Sequence, residues 1–165
     1  MTKFKVDIRD FLRTGNFGPI QLGMTRSQVE LLLGKPESWG GQYPEHSREQ
    51  FEQYASYNDY PIWEYDAMEF HFGDDRKLLY LIHCDHLDQL QSNGNTFTLD
   101  RWVFEANPPT REQVELALKE EKINYSDKRP DWFGTLVLSS GVEISYEYDD
   151  TFSVTSVDFH DFSYW

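Results

Sequence analysis

Thr25-Arg26-Ser27-Gln28-Val29-Glu30-Leu31-Leu32-Leu33 returns later in the chain as Thr110-Arg111-Glu112-Gln113-Val114-Glu115-Leu116-Ala117-Leu118. Only Ser27/Glu112 and Leu32/Ala117 differ. Each copy reads as the start of a helix. A threonine with a glutamine at the third following position fits the capping box: the hydroxyl accepts from an orphan N–H while the glutamine side chain reaches back. Such a cap is worth about 0.5–2 kcal/mol against alanine. Val29, Leu32 and Leu33 fall at i, i+3, i+4, as do Val114, Ala117 and Leu118. Each helix therefore carries one narrow apolar stripe, suited to lying on a sheet. Gly34 and Pro36 predict where the first helix stops. The second runs into Glu120-Glu121-Lys122 without a comparable stop, while Pro108 and Pro109 prepare its start.

A hairpin pattern follows each helix. Met68-Glu69-Phe70-His71-Phe72 alternates, Gly73 to Lys77 turns, and Leu78 to Cys84 returns. Gly141 to Tyr148 alternates, Asp149-Asp150 turns, and Phe152 to Phe159 returns. Period-2 alternation around an Asp-rich turn predicts half-buried antiparallel hairpins. The returning strands match as Leu79/Val154 and Ile82/Val157 after a one-residue shift at the turn. Phe97 to Phe104 predicts a further strand before the second helix, and Phe133 to Leu138 another. Gly40 to Pro61 is polar and turn-rich, with a short helix expected over Ser47–Ala55. The fold class expected is α+β, with helices on one face of antiparallel sheet. It is built from two tandem units over 18–86 and 97–162, after an N-terminal segment, 1–17. Asp88 to Asn95 connects the units as two halves of one compact domain.

The chain has 165 residues, 39% hydrophobic and 16% aromatic, and a formal net charge of -14. So many rings argue for a packed core over disorder. The negative field disfavours nucleic acid and anionic membrane and favours a basic protein partner. Cys84 is the one cysteine, so no intramolecular disulfide can form. Asp7 and Arg9 interrupt the opening residues before any apolar signal region, and no run approaches a membrane span. The expected compartment is the cytoplasm.

Ile20-x-Leu22-Gly23-Met24-Thr25-x-x-Gln28-Val29 followed by Leu33-Gly34-x-Pro36 resembles the opening of SmpA/OmlA-type domains, the fold of a bacterial outer-membrane assembly lipoprotein. The tandem arrangement of such units resembles the β-lactamase inhibitory protein family. The resemblance implies a helix-plus-sheet fold and a non-enzymatic role, in which a sheet face or loops are presented to another protein.

His83-Cys84-Asp85-His86 is the one cluster with the look of metal or nucleophile chemistry. On a regular strand His83 and Asp85 share one face while Cys84 and His86 share the other, so the four do not converge. Cys84 continues the apolar row of Tyr80 and Ile82 and reads as core. Asp74-Asp75 and Asp149-Asp150 read as turn formers, and no EF-hand spacing, phosphate loop or serine elbow is present. Neither a catalytic residue, a metal ligand nor a cofactor is expected. From Pro130 to Trp165 there are seven acids and no Lys or Arg. Glu143, Ser145 and Glu147 should share one strand face against Ile144, Tyr146 and Tyr148 on the other. With Asp149 and Asp150 they make the candidate docking face for a basic partner, in a non-catalytic binding protein of the immunity or inhibitor type. A second reading is a small-ligand pocket around Trp39, Trp63 and Tyr65. A third is a hydrolase or metal-binding protein using His83, His86 or Cys84. The difference between the two units, the second uniformly acidic, is expected to mark the binding site.

Overall fold

A computed structural model describes residues 3–40, 56–73, 78–105, 108–129, 133–148 and 152–164. It is α+β. Helix α1 (Ile8–Thr14) is capped by Asp7, whose carboxylate accepts from Arg9 N at 2.9 Å, and ends on Gly15 at φ 77°. Helices α2 (Arg26–Leu33) and α3 (Arg111–Glu120) open with complete capping boxes on Thr25/Gln28 and Thr110/Gln113. In each, the glutamine side chain accepts from the threonine N–H, at 2.8 and 2.9 Å. Helix α2 stops at Gly34, as its sequence predicts. Helix α3 does have a stop, hidden in a lysine. Lys122 adopts φ 57°, its N–H bonds to Lys119 O, and Ile123 N bonds to Leu118 O at 2.9 Å. This is the Schellman arrangement, sealed by burial of Ile123 and Leu118.

Among the described residues, eight strands form one antiparallel sheet. They are β2 (Ser38–Gly40), β3 (Ile62–Tyr65), β4 (Met68–Phe72), β5 (Leu79–Cys84), β7 (Tyr125–Lys128), β8 (Phe133–Leu138), β9 (Glu143–Glu147) and β10 (Val154–His160). Their order is β2-β3-β4-β5-β10-β9-β8-β7, so the strands of the two predicted units meet where β5 pairs with β10. A separate parallel pair joins β1 (Phe4–Asp7) to β6 (Phe97–Asp100). Each capping threonine is stitched to the start of a central strand. Thr25 bridges Leu78 and Thr110 bridges Ser153; Leu79 N donates to Met24 O at 2.8 Å and Val154 N to Pro109 O at 2.9 Å. The core is closed by Phe11, Leu12, Phe17, Val29, Phe97, Phe104, Val114 and Leu118 against the inward strand residues, Trp63, Phe70, Ile82, Ile144 and Tyr146 among them.

The N-terminal segment, 1–17, supplies β1, α1 and the buried Val6, Ile8, Phe11, Leu12 and Phe17. The strand expected over Phe97–Phe104 ends at Asp100. Its carboxylate accepts from Trp102 N at 3.3 Å, Trp102 turns to φ 50°, and Trp102–Glu105 winds into a 3-10 helix. The stretch read as turn-rich, Gly40 to Pro61, is flanked by β2 and β3, strands of three and four residues that are too short to show an alternation. The Ser47–Ala55 helix, the Asp74-Asp75 tip and Asp149-Asp150 lie outside the described residues. No described helix is long and apolar enough to cross a membrane.

Candidate docking face

The helices and the parallel pair contribute to a core with the inward residues of the eight-stranded sheet, so strand alternation sends the intervening residues to the opposite, open face. Strand pairing lines those residues up in a way that spacing along the chain conceals. Glu64 pairs with Glu69, Glu69 with His83, His83 with Asp158, and Asp158 with Glu143. A row of four carboxylates and one histidine thus crosses five strands. Beside it, His71 pairs with Leu81 and Leu81 with His160, and on the other flank Ser145 pairs with Ser156 and Phe133 with Glu147. Strands β2 to β5 and β8 to β10 contain no Lys or Arg.

Three histidines are held among these acids. His71 Nε2 lies 2.7 Å from Glu69 Oε2. His83 Nδ1 bonds to Asp158, and its Nε2 is 3.6 Å from Asp85 Oδ2. His160 Nε2 is 3.9 Å from Glu143 Oε2. The His71 and His83 rings meet edge to face, centroids 6.0 Å apart. The hydrogen bond to Asp158 raises the His83 pKa above its ordinary value; burial opposes this, and the charges of Asp158, Glu69 and Asp85 reinforce it. Glu69 is held below the usual carboxylate range by its bond to His71, against burial, with help from the charges of His71, His83 and His86.

The hydrolase reading asks His83, Cys84 and His86 to converge. Ser156 Oγ donates to Asp158 Oδ2 at 2.7 Å, not to His83, and both nitrogens of His83 face carboxylates. Cys84 is buried on the other side of the sheet, where burial pushes its thiol up to about 12. His86 does not share the core face with it: the strand ends at Cys84, and His86 is exposed, 3.5 Å from Asp85. His83, Cys84 and His86 are therefore not brought together. Among the described residues no three His, Cys, Asp or Glu side chains are grouped to hold a metal.

Of the proposed aromatic pocket, Trp63 and Tyr65 are closed core residues. Trp63 Nε1 donates to Tyr57 O at 2.9 Å and Tyr65 OH to Gly34 O at 2.7 Å. Trp39 sits on the edge strand opposite Trp63, with Lys35 Nζ 5.2 Å above its ring. A groove of about 420 Å³ lies elsewhere, lined by polar residues that include Glu37, Asp66, Asp88 and Asn95. Of the candidate docking residues, Glu143 and Ser145 are half-buried on the open face and Glu147 is exposed there, while Ile144 and Tyr146 are buried beneath. Tyr148, expected to be covered with them, is exposed at the strand end. The charged surface is not confined to the second unit: Glu64, Glu69, His71 and His83 extend it across the first. Outward alternation of Glu69 and His71 in Met68–Phe72 was the available signal, but only register joins them to Glu143.

The His83–Asp158 bond spans the β5–β10 junction, so it ties the two halves of the sheet together. Since folding raises the His83 pKa, the stabilisation is fully present below the unfolded value near 6.5 and is lost as pH rises through the higher folded value. His83→Gln should therefore cost about 1 kcal/mol at pH 5.5 and progressively less towards pH 9. Urea denaturation of both proteins across that range measures it, and a cost that grows with pH would contradict the assignment.

No protein-family model matches the chain, and no curated protein sequence matches it significantly. Among solved structures, a DUF4309 family protein, YjgB, from Bacillus subtilis is similar at 13% identity and a TM-score of 0.39, over 82% of this chain and 77% of that one. The likeness is too distant to inform function.

Proposed function

We propose that this chain is a non-catalytic binding protein that docks a basic protein on the open face of its eight-stranded sheet. The observation that carries this reading is the Glu64–Glu69–His83–Asp158–Glu143 row, flanked by Glu147, on strands without a single Lys or Arg. Uncompensated acids on a sheet face steer cationic surfaces and fix their orientation. The resemblance to SmpA/OmlA-type and β-lactamase inhibitory-type folds implies a sheet face or loops presented to another protein, and this reading takes the sheet face. A concrete form is a cytoplasmic immunity-type inhibitor that neutralises a basic toxin domain.

We also read the two halves as copies of one unit. What supports this is the matched detail: the same capping box, the same threonine-to-strand stitch, and the mirrored strand order. Arg26 and Arg111 follow the caps and lie over rings, Phe72 at 4.5 Å and Tyr146 at 5.0 Å. Glu30 and Glu115 each accept from a tyrosine, Tyr57 and Tyr125.

The test is calorimetric titration with a decalysine peptide at fixed ionic strength. Wild type should bind, and Glu143→Lys with Glu147→Lys should weaken binding at least about tenfold. Glu112→Lys with Glu120→Lys makes the same change in net charge on exposed positions of α3 and should leave affinity within about twofold. Equal losses from both pairs would reduce the binding to overall charge and remove the face from consideration.

A further inference from the structure

We propose that Trp39 and Tyr57 form a binding site for a quaternary ammonium group, and that the Lys35 ammonium occupies it in cis until such a ligand displaces it. The site stands apart from the docking face and shares no residue with the acidic row. Trp39 pairs with the buried Trp63, and side chains of directly paired residues share a face, so the Trp39 ring lies on the core side of the sheet at its β2 edge.

The two rings make an open corner. Their planes meet at 51° with centroids 5.8 Å apart; Trp39 is exposed and Tyr57 half-buried. The Tyr57 wall is fixed from behind. Tyr57 opens a 3-10 turn, Tyr57–Asp59, capped by Ser56. The Trp63 indole donates to Tyr57 O at 2.9 Å, and Arg26 Nη1 donates to Asn58 O at 3.0 Å and to Tyr60 O at 2.6 Å. The Tyr57 hydroxyl donates to the Glu30 carboxylate, which sets a negative charge beside the ring that carries the cation.

The corner already holds a cation, and this identifies the chemistry it takes. Lys35 Nζ lies 5.2 Å from the Trp39 centroid and 5.3 Å from the Tyr57 centroid, within cation–π reach of both. Lys35 is brought there by the chain reversal at Gly34, which ends α2 at φ 86°. Among the described residues its ammonium has no ion-pair or hydrogen-bond partner, so in a chain of net charge -14 it rests on two rings and not on an acid.

A quaternary head suits these rings better than their resident does. A primary ammonium carries three N–H donors, is strongly hydrated and gives up water to reach an aromatic face. A tetraalkylammonium has no N–H to leave unsatisfied and presents its alkyl groups to both rings while keeping the charge. Lys35 is exposed on a flexible stem, so it can swing into solvent when displaced.

The experiment titrates the whole chain with tetramethylammonium chloride, balanced against sodium chloride at fixed ionic strength, and follows the indole N–H resonances. Lys35→Gln vacates the rings and should bind about threefold or more tighter than wild type, the factor by which an occupant in cis weakens an external ligand. Lys119→Gln makes the same change in net charge at an exposed position of α3 and should match wild type. No saturation in Lys35→Gln, or equal gains from Lys35→Gln and Lys119→Gln, would overturn the site, and that comparison needs no ring variant. Lys35→Gln with Trp39→Leu should lose saturable binding while keeping the denaturant midpoint of Lys35→Gln; binding retained in the folded double variant would overturn it too. Choline and a short peptide carrying trimethyllysine then separate a free amine from a protein side chain as the source. Tighter binding of either than of tetramethylammonium supports the site and names that source, whereas an unmodified lysine peptide binding as tightly as the trimethylated one would overturn the preference for a quaternary head.

Discussion

Gly134→Ala should destabilise the fold by about 2–3 kcal/mol, although it adds a single methyl group. Gly134 pairs directly with Tyr146 across β8 and β9, and a Cβ there would land on the ring carbons and hydroxyl of that tyrosine. The ring has nowhere to go. Tyr146 is fully buried, its hydroxyl donates to Asp127 Oδ1 at 2.7 Å, and the Arg111 guanidinium lies over its face at 5.0 Å. Moving it would break both contacts, which is why overpacking here is expensive. Gly40→Ala is the control, since a Cβ there meets nothing within 4 Å, and it should stay within about 0.5 kcal/mol of wild type. Urea unfolding of the three proteins separates the outcomes, and coincident curves for Gly134→Ala and wild type would show that Tyr146 is free to relax.

Asp127→Ala should cost about 2–3 kcal/mol, a little below the range for a fully buried charge pair because the carboxylate keeps some exposure. One carboxylate serves three donors: Tyr146 OH, Arg111 Nη2 at 2.8 Å and Arg129 Nε at 2.7 Å. Removing it leaves Arg111, whose Nε has no hydrogen-bond partner among the described residues, with Glu115 as its remaining ion-pair partner there. Burial is the strongest single influence on the Asp127 pKa and pushes it up. The bonds from Tyr146 and Arg129 and the charges of Arg111 and Arg129 together outweigh it and hold the carboxyl below its ordinary value. The folded pKa is depressed, so the stabilisation is present above the unfolded value near 3.9 and is lost as pH falls through the folded one. The difference between Asp127→Ala and wild type, followed by denaturant midpoints, should therefore hold steady from pH 8 to 5 and shrink below pH 4. A difference that vanishes near neutrality would reject this network.

The parts of the fold legible in the sequence are those whose signal is local. Thr25/Gln28 and Thr110/Gln113 announce their helices because a capping box is satisfied within four residues, and Met68–Phe72 announces a strand because alternation is its own evidence. Shorter elements leave too little to count. β1 has four residues and α1 seven, and β7, Tyr-Ser-Asp-Lys, is an edge strand whose charges guard it at the expense of a recognisable pattern. Lys122 at positive φ carries no mark that separates it from any surface lysine. Ile144 and Tyr146 turned inward and Glu143 and Ser145 outward as their alternation implies, yet the face they belong to was read as half its width. Glu69 and Asp158 become near neighbours only through His83, and that adjacency is a property of strand register, which no window along the chain contains.

The meeting of β5 with β10 also sets the order in which this molecule can be made. During synthesis the first four strands of the sheet emerge long before Val154–His160, so β5 waits at the margin with its outer N–H and C=O groups bare. β1 waits likewise for β6, which lies some ninety residues downstream. A nascent chain in that state carries a bare edge where the finished sheet has its centre, and the last strand of this sheet to be made is the one that seals it.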